Sequence, residues 1–63
     1  MPIAQILILE GRSEEQRRAL LRSVTAAITE SLSVKPESVR VIIQEVPPAH
    51  WGVGGVSIAE GAR

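Results

Sequence analysis

The residue with the clearest capacity for chemistry is Pro2, which follows the initiating Met1. Initiator methionine is usually removed when the next residue is small, and its removal leaves Pro2 with a free secondary amine. An α-amino group titrates near neutral pH, at about 7.7–8.0, which suits a general base in proton transfer. If Met1 is retained, the Pro2 nitrogen is an amide and cannot act as a base.

Other familiar catalytic and binding patterns are missing or incomplete. His50 follows two prolines and is read as a solvated loop residue. The glycine-rich stretch 52–55 lacks the following Lys and Ser/Thr of a phosphate-binding loop, and it opens no predicted helix. The chain has no aspartate for a Ser-His-Asp triad, no cysteine and a single histidine. We therefore expect no bound metal or cofactor.

Length and charge limit the choice of fold and partner. The 63 residues form one domain at most (1–63), and a chain of this size buries only about 60% of its unfolded surface. Seven basic and seven acidic side chains balance to zero, which argues against nucleic acid or an anionic membrane as the main partner. The opening apolar run lacks the basic segment and cleavage site of a secretory signal, and it is too short to span a bilayer. A cytoplasmic protein is expected.

Apolar patterning predicts two strands joined by one helix. Residues 3–9 are rich in isoleucine and end before Gly11, and residues 39–46 form a second such run. Between them, Ser13 and Gln16 have the spacing of a capping box, and a helix of about 19 residues continues to near Ser33. Because this helix spans roughly 28 Å, it can return the chain beside the first strand. The prediction is an α/β fold built on a right-handed βαβ unit with parallel strands.

The predicted helix has one apolar stripe. Arg17 also falls on the stripe by angle, and we expect its stem to lie along the core edge with its head in water; a subunit contact is the alternative. Arg18 is placed to pair with Glu14 one turn away. The stripe comprises Leu20, Leu21, Val24, Ala27, Ile28 and Leu32, whereas Arg18, Arg22, Thr25, Thr29 and Glu30 lie off it.

The chain is too short to cover both faces of its own sheet. Both faces of the first strand are largely apolar, and a single helix can cover only one of them. The glycines of the tail, after Trp51, predict a small β-hairpin that packs against a neighbour. Pairing strand edges across a two-fold axis and stacking the bare faces of several dimers would bury the remaining surface. We therefore predict an obligate oligomer.

Four segments taken together resemble the 4-oxalocrotonate tautomerase family. They are PIAQI (2–6), LEGRSxEQ (9–16), SVRVIIxE (38–45) and HWGVGG (50–55), and with their spacing they cover nearly the whole chain. The resemblance implies βαβ subunits that pair into dimers with a four-stranded sheet. It further implies assembly of three dimers into a hexamer, and we expect a homohexamer in which one chain supplies every subunit.

The resemblance also implies roles for individual residues. Pro2 is similar to the amino-terminal proline that serves as general base, moving a proton between positions of an enol. Arg12 resembles the arginine that holds the substrate's far carboxylate. Arg40 resembles the arginine, supplied by another subunit, that binds the carboxylate and oxygen beside the reacting carbon. Trp51 stands where the family commonly has phenylalanine as an apolar wall, and Leu9 belongs to the same pocket. No cofactor is implied.

General chemistry is consistent with these roles. Guanidinium groups and an apolar wall both disfavour a protonated amine, arginine binds carboxylates through two parallel hydrogen bonds, and its charge stabilises a developing enolate. One relative in the family dehalogenates 3-chloroacrylate by adding water, which calls for a glutamate just after the aromatic region and an extra arginine at the end of the first strand. This chain has Val53 and Leu9 at those places. The expected reaction is therefore tautomerisation rather than hydration.

Three functional hypotheses remain open. The first is a tautomerase that converts 2-hydroxymuconate or a similar enol dicarboxylate to its conjugated 2-oxo isomer. The second is a related tautomerase of a biosynthetic pathway, with the Pro47, Pro48 and Trp51 region fitted to a different enol. The third is a non-catalytic assembly module in which Arg12 is a surface residue, Arg40 an interface ion pair and Trp51 a packing anchor.

Overall fold

The computed structural model describes residues 1–62 and contains one helix and four strands. The elements in chain order are β1 (Ile3–Leu9), α1 (Glu14–Leu32), β2 (Arg40–Val46), β3 (Gly52–Val53) and β4 (Val56–Ser57), with short 3-10 turns at Pro36–Ser38, Pro48–His50 and Ile58–Glu60. Within residues 1–62, no helix combines the length and apolar content needed to cross a bilayer.

The strands β1 and β2 lie side by side and run parallel, as the sequence predicted. Their register pairs Ile3 with Arg40 at one end and Leu9 with Val46 at the other. The second strand begins one residue later than predicted, because the amide of Val39 donates to the carbonyl of Pro36 and keeps Val39 in the preceding turn. The helix α1 connects the two strands, so the predicted βαβ unit is confirmed.

The ends of α1 follow from local side-chain chemistry. The Ser13 hydroxyl accepts a 3.1 Å bond from the Gln16 amide, and the Ser13 amide donates a 3.0 Å bond to Gln16 Oε1. This is the predicted capping box, which satisfies two amides that the first helical turn would leave unpaired. At the other end Ser33 adopts the left-handed conformation, and the Val34 amide donates to the Thr29 carbonyl. The helix therefore stops before Pro36, as expected.

The packed face of α1 differs in part from the predicted stripe. Leu20, Val24 and Ile28 are half-buried, as predicted, and they lie on the side of the sheet that includes Ile6 and Ile43. Adjacent strands are about 4.8 Å apart, whereas a helix with its side chains is about 10 Å across, so residues at the stripe's edges overhang the sheet. The prediction was wrong for five residues: Leu21, Ala27 and Leu32 are exposed, while Thr25 and Thr29 are half-buried.

The opposite face of the sheet is left open by the chain itself. Ile3, Leu7 and Ile42 alternate onto this face and remain 61%, 57% and 50% exposed. The accessible surface of 4789 Å² exceeds the roughly 3,950 Å² expected for a folded monomer of 6.8 kDa. The radius of gyration is 14.6 Å, against about 11 Å for a compact chain of this length. These dimensions are those of a subunit rather than of a self-sufficient domain.

The tail forms the predicted hairpin, with β3 antiparallel to β4. Its two-residue loop, Gly54-Gly55, has φ values of 60° and 87°, the left-handed region that a type I′ turn requires and that glycine adopts without strain. The amide of Ile58 donates a 2.9 Å bond to the Trp51 carbonyl, which ties the end of the hairpin back to its start. Packing of the hairpin against a neighbouring subunit stays a prediction.

Candidate active site

Pro2 lies at the amino end of β1, beside the first residue of β2. The Arg40 amide donates a 3.0 Å hydrogen bond to the Pro2 carbonyl, one position before the first register pair. Pro2 is half-buried, whereas Met1 is exposed and makes no strand contact. The parallel sheet therefore fixes the position of Pro2 through its carbonyl group and leaves its nitrogen outside the ladder.

Arg40 presents its side chain at the same end of the sheet. Strand alternation places it on the open face with Ile42, and its Nη1 donates to the carbonyls of Glu37 at 2.7 Å and Val39 at 3.4 Å. Both bonds use one nitrogen. Among residues 1–62 the remaining donors of the guanidinium have no recorded protein acceptor, so they are placed to bind a planar anion such as a carboxylate.

Arg12 lies at the far end of β1, in the loop that leads into α1. Gly11 has a φ of 116°, which turns the chain out of the strand, and the Glu10 amide still donates to the Val46 carbonyl at 3.0 Å. Arg12 is exposed and lines a shallow cavity of about 250 Å³. The other residues of this cavity are Ile8, Gln16, Arg17 and Leu20.

Trp51 and Leu9 lie at this same far end. Trp51 is half-buried and lines a concave surface of about 380 Å³ together with Leu7, Val46, His50 and Gly52. Leu9 is also half-buried and, by alternation, belongs to the face that carries Leu7. The indole therefore forms an apolar wall beside the carboxyl ends of the strands, while Arg12 lines a separate cavity beside the start of α1.

A single chain divides the five predicted site residues between two places. Pro2 and Arg40 share the amino end of the sheet, and Arg12, Trp51 and Leu9 are at or beyond its carboxyl end. The seven residues of β1 extend about 20 Å at 3.3 Å per residue, too far for one small substrate to touch both ends. One subunit thus separates the predicted site residues into two groups.

Arg17 keeps a partly exposed side chain, 32% accessible to solvent, as the prediction of a stem along the core edge requires. The prediction did not include the partners of its head: Nη1 donates a 2.6 Å bond to the Arg12 carbonyl and lies 3.4 Å from Glu45 Oε2. Glu45 belongs to β2, so this contact joins the start of the helix, the loop of Arg12 and the second strand. The position of Arg17 on the apolar stripe indicated that its stem faces the sheet, but it did not indicate these two partners.

Two further candidates from the sequence lie apart from these residues. His50 is exposed, and the glycine-rich stretch 52–55 is a hairpin rather than a loop that opens a helix. Within residues 1–62, no three or more acidic, histidine or cysteine side chains converge in a way that could hold a metal ion.

Comparison with known proteins identifies the family of the chain. A family model described as tautomerase enzyme matches residues 2–61. The 2-hydroxymuconate tautomerase of Stutzerimonas stutzeri is 60% identical over 57 residues, which are 90% of each chain.

Two solved structures share the fold closely. A 4-oxalocrotonate tautomerase from Chloroflexus aurantiacus J-10-fl, described as a heterohexamer, is 50% identical with a TM-score of 0.92, over 98% of this chain and 100% of that one. A 4-oxalocrotonate tautomerase homologue of the tomaymycin biosynthetic pathway is 47% identical, also with a TM-score of 0.92, over 94% of this chain and 91% of that one. The resemblance read from the four sequence segments is thereby confirmed, and the chain belongs to the family of tautomerase enzymes.

Proposed function

We propose that this tautomerase converts 2-hydroxymuconate, or a closely similar enol dicarboxylate, to its conjugated 2-oxo isomer. The observation that carries the proposal is the placement of Pro2 at the amino end of β1, where the Arg40 amide holds its carbonyl group and its nitrogen stays outside the main-chain hydrogen bonds. The 60% identical relative that is named 2-hydroxymuconate tautomerase supports the choice of substrate.

The proposed reaction needs only a base and fixed positive charge. Once Met1 is removed, the Pro2 amine accepts the proton of the enol hydroxyl and returns it to a carbon of the conjugated chain. No atom is gained or lost and no electron leaves the substrate, so the proposal includes no cofactor. The guanidinium groups of Arg12 and Arg40 hold the two carboxylates and stabilise the negative charge that develops on the enol oxygen.

We propose that the complete site forms between subunits. When two parallel strand pairs associate antiparallel across a two-fold axis, the amino end of one lies beside the carboxyl end of the other. Such pairing places Pro2 of one subunit near Arg12 and Trp51 of its neighbour and overcomes the separation of about 20 Å within one chain. A rotated third subunit supplies Arg40 in this arrangement, as the family resemblance implies.

A homohexamer, as a trimer of dimers, is the proposed assembly. It would cover the open sheet face, where Ile3, Leu7 and Ile42 remain half or more exposed. The hexameric description of the Chloroflexus relative supports this number of subunits. The chemical partner of the assembly is then a small enol or 2-oxo dicarboxylate, and the protein partner is another copy of the same chain.

A second candidate is tautomerisation of a different enol in a biosynthetic pathway. Trp51 favours it, because the indole is larger than the phenyl ring common in the family and adds an N–H donor to the wall. The relative from the tomaymycin biosynthetic pathway shows that this subunit fold also occurs in such a setting. Catalytic efficiency measured across mono- and dicarboxylate enols separates the two candidates, since only the first requires strong preference for a second carboxylate.

The deciding experiment is the kinetic effect of Pro2→Ala on 2-hydroxymuconate. General-base catalysis contributes about 10²–10⁴-fold, so we expect kcat to fall by a factor in that range. Ser31→Ala, at an exposed helix position, is the control and should retain the parent rate. The oligomer should survive both changes in sedimentation velocity. An unchanged rate for Pro2→Ala would rule out Pro2 as the base, and a parent protein without tautomerase activity would favour the non-catalytic assembly module.

A further inference from the structure

We propose that Arg17 is a positioning residue that sets the placement of Arg12 and thereby the recognition of the substrate's second carboxylate. The inference rests on the proposed function, in which Arg12 binds that carboxylate. Arg17 itself contacts no proposed reacting atom, and its action passes through the main chain of the loop between β1 and α1.

One nitrogen of Arg17 connects two parts of the fold. Nη1 donates a 2.6 Å hydrogen bond to the Arg12 carbonyl and lies 3.4 Å from Glu45 Oε2. The side chains of Arg17 and Glu45 are 32% and 34% exposed, so the pair is partly shielded from solvent. A charged donor forms shorter and stronger hydrogen bonds than a neutral one, which makes this contact an effective restraint on the loop.

The rest of the loop is already fixed on both sides of Arg12. On the strand side, the Glu10 amide donates to the Val46 carbonyl at 3.0 Å. On the helix side, the Ser13 amide donates to Gln16 Oε1 at 3.0 Å. Between them Gly11 has a φ of 116° and no side chain to restrain it. The bond from Arg17 holds the Arg12 carbonyl, which is the acceptor end of the same planar peptide group whose Ser13 amide is bonded to Gln16.

Arg18 provides a matched contrast in the next position of the helix. It is also an arginine, but its Nη2 pairs at 2.9 Å with Glu14 one turn earlier, and its side chain is 65% exposed. That pair stays within α1 and restrains neither the loop nor β2. A role in positioning is thus specific to Arg17, and Arg18→Gln removes the same charge without releasing Arg12.

The test compares Arg17→Gln with Arg18→Gln on two substrates. A misplacement of about 1 Å in a binding group can lower catalytic efficiency by up to about 10²-fold. For 2-hydroxymuconate we therefore expect Arg17→Gln to raise KM by about 10- to 100-fold. For phenylenolpyruvate, which has no second carboxylate for Arg12 to bind, we expect the KM of Arg17→Gln to stay within about twofold of the parent protein's KM. Arg18→Gln should leave both values unchanged.

Conservative substitutions of Arg17 and its partner Glu45 should cause smaller rises in KM than Arg17→Gln. Arg17→Lys keeps one cationic donor but not the planar fork, so it should recover part of the loss in KM for the dicarboxylate. Glu45→Gln keeps a neutral acceptor and leaves the bond to Arg12 in place, so it should show the smallest rise in KM. A merely structural role for Arg17 predicts equal losses on both substrates, and that result would overturn the proposal.

A second measurement does not depend on catalysis. Hydrogen exchange at the Glu10 and Ser13 amides reports on the loop, and we expect it to become faster in Arg17→Gln but not in Arg18→Gln. Unchanged exchange in Arg17→Gln would refute the positioning role whatever the kinetics show. If Arg12→Ala fails to discriminate between the two substrates while loop exchange responds to Arg17→Gln, the proposed role of Arg12 is wrong and the restraint by Arg17 stands.

Discussion

The amide of Arg40 donates a 3.0 Å hydrogen bond to the carbonyl of Pro2, so the ladder of the parallel sheet determines where the chain's second residue lies. Proline within a chain has no N–H to give to a ladder, and its fixed ring limits the conformations that the chain end can adopt. The sheet therefore holds Pro2 by its acceptor alone. Its nitrogen is left outside the main-chain hydrogen bonds, which is the arrangement that a proton-transferring amine requires.

The open sheet face should control assembly. We expect Leu7→Asp to break up the oligomer, because an unpaired carboxylate would be buried where Leu7, Ile3 and Ile42 now present apolar surface. Sedimentation velocity at fixed protein concentration measures the change in size. Ser23→Asp, on the exposed side of α1, is the control and should leave the oligomer intact. A Leu7→Asp protein of unchanged size would show that this face is not an interface.

The indole of Trp51 should act as a wall rather than as a catalytic group. Trp51→Phe keeps an aromatic surface, so kcat/KM for 2-hydroxymuconate should stay within about tenfold of the parent, the scale on which pocket size discriminates. Trp51→Ala removes the wall and should lower kcat/KM by more than about tenfold. Equal values for the alanine variant and the parent protein would place the substrate elsewhere.

The helix cap should contribute measurable stability. Ser13→Ala removes the hydroxyl that accepts from the Gln16 amide and should lower the free energy of unfolding by about 1 kcal/mol. Urea unfolding measures this loss, and the protein concentration must be held constant because assembly shifts apparent stability. Ser23→Ala, in the helix interior, should be neutral or slightly stabilising. Indistinguishable unfolding of the two variants would contradict the contribution assigned to the cap.

The final turn should respond to acid. Hydrogen bonds from the Ser57 side chain and, second, from the Ser57 amide lower the pKa of Glu60 below its usual value. A carboxyl group with a lowered folded pKa stabilises the fold above its unfolded pKa, and this contribution is lost as the pH falls through the folded value. Amide chemical shifts of the turn Ile58–Glu60 should therefore change at a pH below the range in which glutamate normally titrates. Glu60→Gln should abolish that transition, and an identical titration in the variant would rule out this assignment.

The sequence predicted those parts of the fold that short-range chemistry decides. The Ser13 capping box, the two isoleucine-rich strands and the Gly54-Gly55 turn are each set by residues a few positions apart. Helical periodicity was less reliable for predicting which helix residues are buried, because it does not specify the width of the sheet that the helix packs on. The real sheet has two strands, so Leu21 overhangs its edge, while Thr29 turns inward.

The residues of the candidate site stay a prediction, and their positions in the fold were predictable only in part. Resemblance identified Pro2, Arg12 and Arg40, and the length of β1 already implies that Pro2 and Arg12 cannot meet within one chain. The contact from Arg17 to the Arg12 carbonyl and to Glu45 was not predictable, because Glu45 is 28 positions away. Such a contact depends on how the helix is rotated over the sheet, which local patterns do not specify.

The proposed mechanism requires the Pro2 nitrogen to be a free amine in the active enzyme. Intact-mass spectrometry of the purified protein, taken from a sample with measured tautomerase activity, tests this requirement. We expect the active species to be lighter than the full sequence by one methionine residue. A fully active protein that retains Met1, and therefore an amide at Pro2, would contradict it.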